Sequence, residues 1–259
     1  MEHKNEITYR KLPGITAQGI RVWGLLFLMC GIIGTSIFEN VLVTKESSIG
    51  LISAGLALKI IHFGGIPVFA FLLVEGFTHT VSLRNYATRI AGLALLSELP
   101  FNLAFDGNVL GALSFRGGLQ FSYDNFSLNP VFGVLLCLVI LHLFTRVPWT
   151  GIKGIALKGL IWAMSLVWVE MLHIQYANAM ILLVPVLYFL RNKGVWRVFG
   201  GCTMMFIACI FDYYYIGAPL AFLLVHFYNE EPGEGNRYIN YLAYPVMLLA
   251  IGLVAKLAF

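Results

Sequence analysis

Apolar runs of about 20 residues recur along most of the chain, and a run of that length crosses a bilayer core as a helix. Lipid offers no water to the backbone N–H and C=O groups, so each run must satisfy them internally, which a helix does. The first run is Ile20 to Val43, preceded by the polar Lys4, Arg10 and Lys11. Ser47 to Phe77 is too long for one simple crossing and is interrupted by Gly64-Gly65 and Pro67. It is expected to form a short tilted or interfacial segment at 47–58, then a second span near 57–78 with a kink or break at the glycines and proline. Further spans are expected at 88–105, 130–146, 154–171, 174–190, 196–212, 214–228 and 238–257. The fold class is therefore all-α: a polytopic transmembrane helical bundle of about nine spans, or ten if 47–58 crosses by itself.

Composition agrees with this reading. Charged residues make up 12% of the chain, about half the share in a soluble domain, and mean hydropathy is +0.82. The net charge of +4 then reports topology; no basic stripe suggests nucleic acid. With the N-terminus inside, inner segments collect Lys4, Arg10, Lys11, Arg84, Arg89, Arg146, Lys153, Lys158, Arg191, Lys193, Arg197 and Arg237. The outer side receives Lys45, Arg116 and Lys256. Because cytoplasmic loops are enriched in Lys and Arg, the expected topology is N-in and C-out. One integral-membrane domain then covers 1–259, with a cytoplasmic segment at 1–19 and a Gly-, Ser- and Asn-rich extracytoplasmic loop at 106–128. The N-terminus lacks the short apolar stretch and small-residue cleavage site of a removable signal peptide.

Ionisable residues at membrane depth are the functional candidates, because each costs at least a few kcal/mol there. Glu75 and His79 end the second span four residues apart, so they share a helix face and could share a proton. Under the N-in topology they lie at the cytoplasmic ends of the spans, together with Arg21, Arg89, His142 and His226. Such a mouth suits charge-assisted recognition of phosphate, although positive-inside anchoring with snorkelling side chains would produce the same residues. Glu98 sits in the apolar stretch LALLSELP with no nearby interface to relieve it, so it is expected to be hydrogen-bonded inside the bundle. Glu39, Lys59, His62, Glu170, His173 and Asp212 lie deeper or toward the outer surface, and Tyr213 to Tyr215 suggest an interfacial aromatic belt. Cys30, Cys137, Cys202 and Cys209 lie within apolar runs without ligand spacing, so neither a metal site nor a disulfide is expected. HExxH, GxSxG, CxxC and glycine-rich phosphate-loop patterns are absent.

Several segments carry a family likeness: PVFAFLLVEGFTHT (67–80), RIAGLALLSELP (89–100) running into Phe101-Asn102-Leu103-Ala104, Asn129-Pro130-Val131-Phe132, Pro219-Leu220-Ala221 with Phe227-Tyr228-Asn229, and Tyr244-Pro245. In this order they resemble the TraX family of integral-membrane proteins, whose type member N-acetylates the amino terminus of a conjugative pilin subunit. The resemblance implies a protein of the bacterial cytoplasmic membrane that moves acetyl from cytosolic acetyl-CoA to an amine or hydroxyl acceptor, such as a membrane peptide or pilin-like chain. It implies catalytic roles for Glu75, His79 and Glu98, and cofactor binding by Arg89, with Arg21 and His226 added by their place at the same mouth. The chain departs from the pattern at three points. Gly31 and Ile32 stand where relatives carry an Asp-His pair, Gln175-Tyr176-Ala177 replaces Asp-Tyr-Gly, and Met247 ends the Tyr-Pro-x-His motif. Two readings stay open: an acetyltransferase, or a catalytically inactive relative that binds a peptide, lipid or partner protein.

The alternating topology has a direct check. A cysteine placed at Ser122 is expected to react with a membrane-impermeant maleimide on intact cells, and one at Lys193 only after the membrane is opened. Labelling of both from one side refutes it.

Overall fold

Thr16 starts the first helix by accepting a hydrogen bond from the Gly19 N–H at 3.2 Å, the side-chain cap that an exposed helix start requires. In the computed structural model, residues 14–42, 47–106, 113–114, 120–121, 127–148 and 151–258 are described. Lys4, Arg10, Lys11, Lys45, Arg116 and most of the expected 106–128 loop lie outside them. Helix α1 (Ala17–Ile33) passes into a π-helical segment, Gly34–Leu42. Helices α2 (Ile49–His62), α3 (Gly65–His79) and α4 (Leu83–Asp106) follow. Strands β1 (Leu113–Ser114) and β2 (Gln120–Phe121) form a minimal antiparallel pair. Then come α5 (Pro130–Arg146), α6 (Gly151–Leu172), α7 (Ala177–Phe189) and α8 (Gly194–Ala208). A 3-10 helix at Tyr213–Ala221 leads into the short α9 (Phe222–His226), and α10 (Arg237–Ala258) closes the chain.

Ala17–Glu39, Ile49–His79, Gly151–Leu172 and Ile239–Leu257 are long and apolar enough to cross a membrane; Pro130–Arg146, Ala177–Phe189, Gly194–Ala208 and Tyr213–His226 are shorter apolar helices. The tilted segment and second span expected from the sequence run on as one helical column, Ile49–His79, with an irregularity at the glycines as expected. Its irregular turn falls at Phe63-Gly64, where the Phe63 and Gly64 N–H groups bond the carbonyls three residues back. Pro67 sits one turn further on without breaking the column, since the first turn of α3 needs no N–H from it.

Helices α3 and α7 form the interior. Val68, Ala70, Phe71, Leu73 and Val74 are buried along α3, and Ile181, Leu183, Val184 and Leu187 along α7. Both helices pack against α5, and α1 and α8 flank them. A second cluster of Ile32, Phe101, Ala104, Tyr244 and Leu248 joins α1, α4 and α10. Helix α6 lies at the periphery with Ile152, Ile155, Leu160 and Trp168 exposed, the surface expected of a lipid-facing helix. At one end of the bundle the Ile15 N–H bonds the Phe227 carbonyl at 2.8 Å, and the Ala17 and Gln18 N–H groups bond the Glu231 and Pro232 carbonyls. The orphan donors at the start of α1 are thereby satisfied by the segment between α9 and α10. At the other end Leu128 brackets Ile174, its N–H donating to the His173 carbonyl and its carbonyl accepting from the Gln175 N–H.

Outward-lying polar residues find local partners. Glu39 and Lys59 form an ion pair at 2.9 Å between the π-helical segment and α2. Asp212 caps the 3-10 helix by accepting from the Tyr214 N–H at 3.0 Å. The expected aromatic belt is split: Tyr213 is exposed, while Tyr215 is buried and donates to Asn178 Oδ1 at 3.1 Å. The residues of a tight helix take successive directions around its axis, so one tyrosine of the three points inward.

The 3-10 helix approaches α2 closely at Gly217, where a Cβ would lie 2.5 Å from the Ile60 carbonyl oxygen. Because that oxygen is backbone, Gly217→Ala is expected to destabilise the protein by about 1–3 kcal/mol. Gly159 in α6 has nothing within 4 Å of its Cβ position, so Gly159→Ala should leave stability unchanged or raise it. Thermal unfolding of the two detergent-solubilised variants checks both outcomes, and equal loss in both refutes the close-packing account.

Candidate functional site

The last turn of α3 places Glu75 and His79 on one face, as their spacing requires, with His79 Nδ1 3.7 Å from Glu75 Oε2. The two side chains nevertheless differ in surroundings. Glu75 is 19% exposed and turned inward, whereas His79 is 78% exposed and faces solvent. His79 ends the helix, and its Nδ1–H donates to the Glu75 backbone carbonyl at 2.9 Å, an otherwise orphaned acceptor of the final turn. Thr78 Oγ1 also donates to that carbonyl, at 3.0 Å. On its inner side Glu75 meets the Tyr228 hydroxyl, and the charges of Arg197 and Glu230 act on it. Arg197 reaches there from α8, with its guanidinium over the Phe71 ring and Nη2 donating to the Val225 carbonyl at 3.4 Å.

Two further arginines stand at the same mouth. Arg21, near the start of α1, donates through Nη1 to Gln18 Oε1 at 2.7 Å. Gln18 is itself held by a reciprocal amide pair with Asn240 of α10, both bonds at 2.9 Å. Arg89 of α4 donates from Nε to the Asn85 carbonyl at 3.2 Å. A guanidinium carries five N–H donors in a fixed fork, so a single such bond leaves both residues able to bind an anion. Between them Tyr86 packs its hydroxyl on Gly76, where a Cβ would sit 2.6 Å from that oxygen.

This mouth opens into a cavity of about 1260 Å³ bounded by α1, α3, α4, the starts of α5 and α7, and α10. It follows α3 inward for on the order of 25 Å, at 1.5 Å per residue, from His79 back to His62. Leu25, Leu28, Phe69, Leu72 and Leu93 supply apolar wall, and Tyr176, Met180 and Tyr244 line the inner part. His62 closes the inner end at 4% exposure; neither ring nitrogen makes a well-formed hydrogen bond among the described residues, and the nearest acceptors acting on the ring are the Phe27 and Leu28 carbonyls of α1. Its ring lies against Gly31 of α1 and meets Tyr176 edge-on, with centroids 5.1 Å apart. Tyr176 has φ 60°, a left-handed conformation uncommon for a non-glycine residue.

Of the six residues singled out from the sequence, Glu75, His79, Arg21 and Arg89 converge on the cavity. The other two lie elsewhere. Glu98 Oε2 accepts from Asn129, from its backbone N–H at 3.2 Å and its Nδ2 at 2.6 Å. Asn129 also donates to the Ala94 carbonyl and accepts from the Val131 N–H, capping α5. Glu98 is thus hydrogen-bonded inside the bundle as expected, at the α4–α5 junction and away from the cavity lining. His226 is exposed at the end of α9, edge-on to Phe227. His62, Tyr86, Tyr176, Tyr228 and Tyr244 line the cavity without having been chosen as site residues. The sequence signals were an imidazole beside Gly64-Gly65, the tyrosines of the Phe-Tyr-Asn and Tyr-Pro motifs, and Tyr176 in Gln175-Tyr176-Ala177. Among the described residues no group of three His, Cys, Asp or Glu side chains could hold a metal ion.

A family model described as TraX protein matches residues 36–255, well over half of the chain. The chain belongs to the TraX family. No curated protein and no solved structure matches it significantly. The TraX match spans Glu75, His79, Arg89 and Glu98 and leaves Arg21 outside.

Asn129 carries the α4–α5 junction, so Asn129→Ala is expected to cost about 2–4 kcal/mol through the lost cap and the unpartnered groups left behind. Glu98→Gln keeps an amide oxygen that can accept from Asn129 and should cost under about 1 kcal/mol. Thermal unfolding in detergent ranks the two, and the reverse order refutes the junction role.

Proposed function

We propose that the protein is a TraX-like membrane acetyltransferase that takes acetyl from cytosolic acetyl-CoA and delivers it to an amine or hydroxyl acceptor at the membrane, such as a peptide or pilin-like chain. The observation that carries this reading is one long cavity with guanidinium groups at its mouth and mostly apolar walls beyond. Arg21 and Arg89 would bind the phosphates, whose negative charge suits fork-shaped donors. Leu25, Leu28, Phe69, Leu72 and Leu93 would flank the pantetheine arm and keep water from the thioester. The cavity exceeds the usual range of about 300–1,000 Å³ for a single small-molecule site, which leaves room for an acceptor beside the donor. Glu75 is balanced between Arg197 and Tyr228 and keeps an acidic group at a mouth that must also pass a cationic amine. In this reading the helices form about nine spans of the bacterial cytoplasmic membrane, N-in and C-out, with the arginine mouth on the cytoplasmic side.

A second reading, a catalytically inactive relative that binds a peptide, lipid or partner protein, is favoured by one observation. His79 is 78% exposed with Nδ1 committed to a backbone carbonyl, a poor setting for a base that must meet substrate in a dry site.

Acetyl-CoA binding to purified wild-type and Arg89→Gln protein tests the donor site. Loss of a charge-assisted phosphate contact of about 1.5–3 kcal/mol weakens binding roughly ten- to a hundredfold. Absence of wild-type binding at millimolar acetyl-CoA refutes the acetyltransferase reading.

A further inference from the structure

We infer that His62 is the base of the transfer reaction, accepting the acceptor's proton at the inner end of the cavity; this rests on the acetyltransferase reading above. Three observations on one residue carry it. His62 lines the cavity, it is 4% exposed, and neither ring nitrogen makes a well-formed hydrogen bond among the described residues: the Phe27 and Leu28 carbonyls of α1 act on the ring, and a carbonyl can engage only a nitrogen that carries hydrogen. A buried polar group left unpaired costs on the order of 1–3 kcal/mol, and buried polar groups in folded proteins are nearly always satisfied. An imidazole kept this way at the end of an open cavity is poised to pair with whatever enters.

The surrounding structure holds the ring in place. His62 ends α2, immediately before the turn at Phe63-Gly64, and its ring rests on Gly31, where any side chain would occupy the same space. Phe63 and Tyr176 meet the ring edge-on, with centroids 5.5 Å and 5.1 Å away. A neutral imidazole whose N–H turns toward the Phe27 or Leu28 carbonyl keeps its other nitrogen free to take a proton. The nearest charged residue along α2, Lys59, is committed to Glu39 at 2.9 Å. His79, by contrast, lies on the order of 25 Å away at the solvated rim, so the two histidines divide the cavity into a mouth and a chemical end.

The chemistry balances with the thioester donor and the acceptor alone. As the acceptor's nitrogen or oxygen attacks the acetyl carbonyl carbon, His62 takes its proton. The C–S bond then breaks, the acetyl–N or acetyl–O bond remains, and the imidazolium returns the proton to the departing sulfur as a thiol. Tyr176 supplies a hydroxyl at the same end, able to donate to the carbonyl oxygen as negative charge develops there.

The full-length protein in lipid nanodiscs is tested with acetyl-CoA and hydroxylamine as a small acceptor, following thiol release and acetyl hydroxamate together. His62→Ala is expected to lower transfer about 10²–10⁴-fold, the usual contribution of general-base catalysis, while acetyl-CoA binding stays within about threefold of wild type. Free imidazole should fit the space beside Gly31 and restore part of the rate, which a purely structural histidine would not allow. Undiminished transfer by His62→Ala, or loss of transfer with no imidazole rescue, overturns the inference. Wild-type binding of acetyl-CoA without transfer also overturns it and leaves the donor site standing. Absence of wild-type binding overturns the acetyltransferase reading itself.

Discussion

The close approach of α1 to the α2–α3 column governs much else in this protein. Gly24 sits against Val68 and Phe69, Gly31 against His62, and Gly34 against Leu58 and the backbone of Lys59. In lipid, burying apolar side chains against one another gains little over leaving them among acyl chains, so helices associate where small residues permit van der Waals contact and interhelical polar pairs. This glycine seam satisfies the first requirement, and the Glu39–Lys59 pair beyond Gly34 supplies the second. With α1 held to α2 and α3 along this seam, the opposite side of α3 packs on α7, and the space beyond α1 toward α4 and α10 remains as the cavity.

The chemistry along that cavity is graded. Its mouth carries arginines from α1 and α4 together with an inward-turned carboxylate from α3. Further in, the walls turn aliphatic and aromatic, and the inner end carries an imidazole beside tyrosines, with no well-formed hydrogen bond to that imidazole among the described residues. A long ligand with an ionised head and a less polar, hydrogen-bonding tail matches that gradient, because each part finds the environment in which its transfer from water costs least.

The same polar residue types serve structure elsewhere. Asn129 and Glu98 tie the start of α5 to the middle of α4, at a proline-containing stretch where Pro100 withholds its own N–H from the helix ladder. Asp212 and Thr16 cap helices, and Gln18 with Asn240 fastens α10 to α1 beside the cavity mouth. A carboxylate within an apolar run therefore marks either a site or a junction, and only its partner tells which.

Features that follow from local periodicity were legible in the residues themselves. Apolar length dictated helices, the four-residue spacing of Glu75 and His79 dictated a shared face, and the clustering of Arg21 and Arg89 at one set of helix ends anticipated a cationic mouth. What depends on distant chain segments meeting could not be read that way. Asn129 lies 31 residues from Glu98, Gly31 and His62 are on different helices, and Tyr228 reaches Glu75 from the segment after α9. Nor does helical period tell an end from an interior, so His79 and Glu75 look equivalent in sequence while one is solvated and the other enclosed. Sequence by itself determined a helical membrane bundle and which stretches are apolar enough to cross, because hydropathy acts residue by residue. Tertiary structure alone decided which polar groups face the cavity and which are spent holding helices together, because that choice is made by packing between segments far apart in the chain.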